Sequence, residues 1–183
     1  MAAPLFEATR LDVEAFAAQG GELSGRWSLP LLERLSEAAA SGWRPADADG
    51  VDWQVRGEQR AARNGAPEVW LHLQASTVLA LECRRCLEPV RVPVRVDASL
   101  RFVRGEDAAA ELDAESEFDV LALTRSLDLR ELIEDELLLA LPLVPAHEVC
   151  PNPLPSAVDS SEVVPAPSPF AALADLKRRG PVN

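Results

Sequence analysis

Tyrosine is absent from this chain, histidine occurs twice, and aromatic residues make up 5% of it. Acid–base catalysis would therefore fall mainly to carboxylates. Basic residues are also scarce: 18 Lys and Arg stand against 30 Asp and Glu, a formal net charge of -12 over 183 residues. That balance repels a polyanion at long range, which excludes a general DNA-binding protein and requires any RNA contact to be local or indirect. The longest nearly unbroken apolar run, Leu137 to Ala146, carries two prolines and is about half of what a bilayer crossing needs. No membrane span is expected. The opening MAAPLFEATRLDVEAF has no basic region followed by an apolar one, so no secretory signal is expected either. Three cysteines, an odd number, fit a reducing cytosol in which thiols stay free or hold a metal. Walker A, GxGxxG, GxSxG and HExxH patterns are missing, and with them the common nucleotide-dependent, hydrolase and zincin chemistries.

What the chain does contain is the composition of a globular domain, 48% hydrophobic and 26% charged. Residues 1 to 27 carry scattered apolar positions and give no clear element. Ser28-Leu29-Pro30 opens a helical pattern, with Leu31, Leu32 and Leu35 at three- and four-residue spacing, which predicts a helix near 30–41 ending at Gly42. From Val51 the period changes to two. Val51, Trp53 and Val55 alternate with polar neighbours, as do Val69 to Leu81 and Val90 to Phe102. Three such segments in a row predict an antiparallel meander, open or curled towards a barrel, with one face on the core. Residues 105–119 hold seven acids and no base, which reads as a solvated connector. Asp128-Leu129-Arg130-Glu131 has the form of a capping box and starts a helix over 128–141, stopped by Pro142. The whole is read as an α+β domain, residues 1–150, with helices on one face of the sheet. A Pro/Ser-rich linker over 151–168 and a short amphipathic, basic tail over 169–183 form a flexible C-terminal end.

Chemistry concentrates in four places. Cys83-Arg84-Arg85-Cys86 lies at the bend between two strands, and His147-Glu148-Val149-Cys150 lies far downstream. A C-x2-C turn and an H-x2-C segment could close a structural zinc site of Cys83, Cys86, His147 and Cys150. The competing reading makes Cys83 a core residue, Cys86 incidental and Cys150 a free thiol. Between residues 84 and 104, six arginines stand against two acids. Arg91, Arg95 and Arg101 fall on the polar side of one strand, with Arg84 and Arg85 in the turn before it. Arginine forks suit phosphate, so these five form a candidate RNA- or partner-contacting surface. The competing reading is simple solubility of an exposed sheet face, neutralised in cis by the acidic connector. Glu136 sits within the apolar stripe of the 128–141 helix and needs either an arginine from the sheet or a partner surface. His72, on a polar strand face, reads as ordinary surface. In the tail, Phe170, Leu173 and Leu176 recur every three residues ahead of Lys177, a stripe that would order only by docking on a partner or on its own sheet.

The conjunction of LECRRCLEPV, IEDELLLALPLVPAHEVC and PSPFAALADLKRR, in that order, resembles the YceD family of bacterial large ribosomal RNA subunit accumulation proteins. The resemblance implies a non-enzymatic cytoplasmic factor needed for synthesis, processing or stability of large-subunit (23S) ribosomal RNA. It matches Cys83 and Cys86 to the thiol turn, Glu134, Asp135 and Glu136 to the acidic helix, and Phe170, Leu173, Leu176 and Lys177 to the tail. The implied partner is large-subunit RNA or its precursor, reached directly or through a ribosome-biogenesis protein. An adaptor in ribosome assembly that never touches RNA is the alternative, and the charge of -12 favours it.

Overall fold

In the computed structural model, the described residues are 6–43, 49–62, 65 and 67–152. The chain divides into two units, Met1–Pro151 and Asn152–Asn183, and the description concerns the first. The tail residues Phe170, Leu173, Leu176 and Lys177 lie outside the described residues.

Helix α1, Val13–Ala18, starts where the Asp12 carboxylate accepts the Ala15 N–H at 3.0 Å. Strand β1, Glu22–Ser28, follows, then a single 3-10 turn, Leu29–Leu31, and a short helix α2, Glu33–Glu37. Three long strands come next: β2, Gly50–Arg60, β3, Glu68–Glu82, and β4, Pro89–Val103. Helix α3, Glu106–Asp113, strand β5, Val120–Ala122, and helix α4, Leu129–Leu139, complete the order. The architecture is α+β, on one five-stranded sheet in the order β1-β2-β3-β4-β5. Neighbours are antiparallel except β5, which runs parallel to β4.

Register explains the burial. Trp53 pairs with Ala75, Ala75 with Val96, and Leu71 with Leu100, so the odd positions of β2 and β3 meet the even positions of β4 on one apolar face. Phe16, Leu11, Leu32, Leu35, Leu129, Ile133 and Leu137 cover that face and are fully buried with Leu71, Leu73, Leu79 and Leu100. Close approach has its own requirement. A Cβ at Gly57 would lie 2.7 Å from the Phe16 ring and 2.9 Å from the Ala17 backbone, so α1 can cross β2 only over a glycine.

Several expectations need correcting. The sheet is open and does not close into a barrel, and the parallel β5 makes it mixed. The helix expected near 30–41 is the 3-10 turn plus the five residues of α2. Leu32 breaks it at φ -107, ψ 83, and the Ala40 N–H then donates to the Ala80 carbonyl at 2.8 Å, because β3 outruns β2 and has a free edge there. The acidic 105–119 segment holds a helix: Glu106 and Asp107 sit in its first turn, where carboxylates favour the helix dipole, and Ala109 is buried. Helix α4 buries the stripe expected of it, Leu129, Leu132, Ile133 and Leu137, and a second flank besides. Glu136 is half-buried, and the buried carboxylate is Glu134, 7% exposed, because α2 packs on that side.

Glu134 ties α2 to α4. One oxygen accepts the buried Leu35 N–H at 3.0 Å, and the other accepts Arg34 Nε and an Arg34 terminal nitrogen, each at 3.2 Å. Arg34 also binds Asp135. Glu134→Ala strands a buried N–H and is expected to cost about 2–3 kcal/mol in urea unfolding. Glu134→Gln keeps an acceptor for Leu35 and should cost about 1 kcal/mol. Equal losses for the two variants would show that the Leu35 bond is not what matters.

Candidate metal centre

The turn after β3 is set by two backbone bonds. Cys83 N–H donates to Glu88 O at 3.0 Å, and Leu87 N–H donates to Cys83 O at 2.9 Å. Cys83 continues the buried odd side of β3 and is fully buried. Leu87, in contrast, is 65% exposed and held at φ 63, a conformation that costs a non-glycine residue energy. From the other direction, α4 ends at Leu139 and the chain returns through Pro142 and Pro145. The Pro145 carbonyl accepts Arg84 N–H at 2.9 Å, and the Glu148 carbonyl accepts the Arg85 guanidinium at 3.3 Å. These contacts lay the 145–150 segment across the turn.

Cys83, Cys86, His147 and Cys150 thereby converge, and their four ligand atoms all lie within 4.8 Å of one another. Cys83 Sγ is 3.9 Å from Cys150 Sγ, and Cys86 Sγ is 3.4 Å from His147 Nδ1. A tetrahedral ion with Zn–S bonds of about 2.3 Å would place its sulfurs about 3.8 Å apart, so the donor set fits. His147 Nε2 donates to the Pro89 carbonyl at 3.2 Å, which leaves Nδ1 as the nitrogen facing the sulfurs. Four protein ligands fill a tetrahedron, which is the arrangement of a structural ion, with no position left for substrate.

Electrostatics points the same way. Burial pushes the Cys83 thiol up, but N–H groups of His147, Arg85 and Cys86 directed at its sulfur outweigh that and bring it down to about 5. Burial and the neighbouring sulfurs of Cys86 and Cys83 push Cys150 up to about 11. One thiolate is welcome here and a second is opposed. A shared divalent cation would offset the repulsion between Cys83 and Cys150.

The family model described as "Large ribosomal RNA subunit accumulation protein YceD" matches residues 71–177, a stretch that includes both halves of the ligand set. A Haemophilus influenzae protein named "Large ribosomal RNA subunit accumulation protein YceD" is 36% identical over 160 residues, 85% of this chain and 87% of that one. This chain belongs to the YceD family. No solved structure matches it.

Of the other candidate residues that are described, two lie on the turn of the centre and the rest elsewhere. Arg84 and Arg85 are exposed on the turn itself, and Arg91 and Arg95 are exposed on the polar face of β4. Arg101 is a correction: its guanidinium is 3.0 Å from Glu68 and is only partly exposed, so it is a paired group and not a free one. Glu136 makes no ion pair among the described residues. Burial first, then Asp119 and Asp135, push its carboxyl up. His72 is more engaged than its sequence context suggested, with Nε2 2.7 Å from Glu58 and Nδ1 2.9 Å from Ser99. Both partners come from adjoining strands, which local sequence cannot display. Arg60 and His72 together hold the Glu58 carboxyl down to about 2.

The strained turn yields a prediction. Leu87→Gly relieves roughly 1–2 kcal/mol of left-handed strain and loses about 1 kcal/mol to the greater freedom of unfolded glycine. A melting temperature equal to or slightly above that of the parent is expected, because an exposed leucine gives up little packing. A clear drop would mean that Leu87 packs against something.

Proposed function

We propose that this chain is a non-enzymatic, cytoplasmic factor that supports the synthesis, processing or stability of large-subunit ribosomal RNA, built around a structural zinc ion. The observation that carries the first half is the identity of 36%, over 85% of this chain, to a protein named for large ribosomal RNA subunit accumulation. The closed ligand set supports the non-enzymatic reading, since a four-ligand centre offers substrate no coordination position. That no helix among the described residues is long and apolar enough to cross a membrane accords with it. In a cell lacking the protein, the ratio of large- to small-subunit RNA should fall, and this chain should restore it. An unchanged ratio overturns the reading.

A second reading, the adaptor that acts through a ribosomal protein or a processing nuclease, is favoured by the charge of -12. Crosslinking on isolated large-subunit precursors separates the two, by whether the crosslinks run to RNA or to protein.

Zinc would be held by Cys83, Cys86, Cys150 and His147 Nδ1, and would fasten the end of the β3–β4 hairpin to the chain leaving α4. Protein purified without chelator is expected to carry one zinc per chain. Cys83→Ser and Cys150→Ser should each lose it and melt at a lower temperature, as should the parent after chelation. A metal-free chain that melts where the loaded one does would exclude a structural ion.

A further inference from the structure

The helices of the core cover one face of the sheet and leave most of the other bare. A hollow of about 940 Å³ runs across β1, β2, β3 and β4 on the bare side, and every residue lining it belongs to a strand. Arg26, Asp52, Gln54, Gln74, Arg95 and Asp97 furnish its polar groups. Smaller hollows of about 290 and 330 Å³ continue it, the first past Arg91 and the second past Arg56 and His72.

Unspent charge marks this face. Six arginines among the described residues are held in ion pairs. Arg26 binds Asp52, Arg60 binds Glu58, Arg101 binds Glu68 and Arg104 binds Glu14. Arg56, Arg91 and Arg95 make no ion pair among the described residues, and all three stand on the bare face. The register spreads them: Arg95 is opposite Ser76, Arg91 opposite Ala80, and Arg56 opposite His72. Four residues of β4 separate Arg91 from Arg95, about 13 Å along the strand. Arg56 stands two strands over and four positions further along, which is about 16 Å from Arg95. No nucleotide or free phosphate reaches three cations so far apart. An extended polyanion does.

Between the arginines stand Gln54, Gln74, Ser24 and Ser76, with two carboxylates, Asp52 held by Arg26 and Asp97 accepting the Gln74 amide. An exposed aromatic is missing from the hollow. Trp70, on the same side of β3, is 5% exposed, with Phe118 edge-on to it at 5.3 Å and the Arg60 guanidinium over its ring. Single-stranded RNA is held largely by stacking on such rings, whereas duplex RNA is held through phosphates and 2′-hydroxyls. We propose that the concave polar face of the sheet binds helical RNA through Arg56, Arg91 and Arg95, reading its A-form backbone and 2′-hydroxyls without base specificity. This rests on the reading of the protein as a ribosomal RNA factor and names the class of RNA that it touches.

The test uses the full chain as purified, titrated with a labelled RNA duplex, the DNA duplex of the same sequence and one of the RNA strands alone. The RNA duplex should bind tightest. With three phosphate contacts, its affinity should fall about 40-fold between roughly 50 and 200 mM salt. Arg56→Ala, Arg91→Ala and Arg95→Ala should each weaken it and lower the slope of log affinity against log salt by about one, with melting temperatures unchanged. Arg→Lys replacements should restore most of the binding. Equal affinity for the single strand, or duplex affinity indifferent to all three alanine variants, overturns the inference. If the alanine variants nonetheless restore large-subunit RNA in cells, the ribosomal reading stands while this face is dismissed. If the parent itself fails to restore it, the reading fails first.

Discussion

The pairing of β3 with β4 runs without a break from Val69↔Phe102 to Glu82↔Pro89, and nearly everything else in the domain is hung on its register. A slip of one residue would exchange the two faces of β4. Leu100 and Phe102 would turn to water, and Arg91, Arg95 and Arg101 would turn into the core, where an unpaired guanidinium costs several kcal/mol. The same slip would move the turn relative to Glu88, Pro89 and Pro145, whose carbonyls hold Cys83, His147 and Arg84 in place. The apolar half of the alternation therefore fixes both the polar face and the thiol turn. The core, which does none of the chemistry, decides where the chemistry stands.

The second half of the metal centre arrives by a separate route. Helix α4 is anchored at its start by Asp128, which accepts the Arg130 N–H at 2.8 Å, and along one flank by Glu134 against α2. Those two fixings orient the helix so that its C-terminal end points the chain towards the hairpin turn, and Pro142 and Pro145 prevent the helix from overrunning. A carboxylate buried between two helices is costly unless every lone pair is used. Here Leu35 and Arg34 use them. The orientation of α4 thus depends on a bond made some hundred residues away in sequence, and the ligand pair it delivers depends on that orientation.

How much of this could be read from the chain depends on how local each signal is. Strands β2, β3 and β4 were legible because each presents one face to the core, so the period of two is written in Val51, Trp53 and Val55 and repeated through Leu81 and Phe102. Strand β1 was not. It is an edge strand, and Gly25 and Arg26 interrupt any alternation in its mostly exposed sequence. Helix α3 was hidden by its own acids, which read as solvation until their place in the first turn is known. The two ligand pairs could be named from spacing, and so could the chemistry of a closed site. Their meeting could not, because it rests on the Arg84–Pro145 and His147–Pro89 contacts. The stripe singled out Glu136, and Glu134 entered only through the resemblance, for the same reason: a helical stripe shows where one neighbour lies, and α4 also packs against α2.

Charge is partitioned in a way that resolves the conflict between an acidic chain and an RNA-related family. Four of the acids lie on α3 and four on α4, elements that do not line the hollow of the bare face. On that face Asp52 is held by Arg26, Glu58 by Arg60 and His72, and Glu68 by Arg101, while Asp97 accepts the Gln74 amide. At physiological salt an exposed charge is screened beyond about 8 Å. A phosphate at Arg91 or Arg95 therefore responds mainly to the arginines beside it, while the rest of the surface repels nucleic acid that approaches from any other side. The net charge then acts as a filter on orientation. On the proposed reading it would oppose non-specific adhesion to polyanions and leave contact to the arginine-bearing face, provided that the β3–β4 register keeps those arginines outside the core.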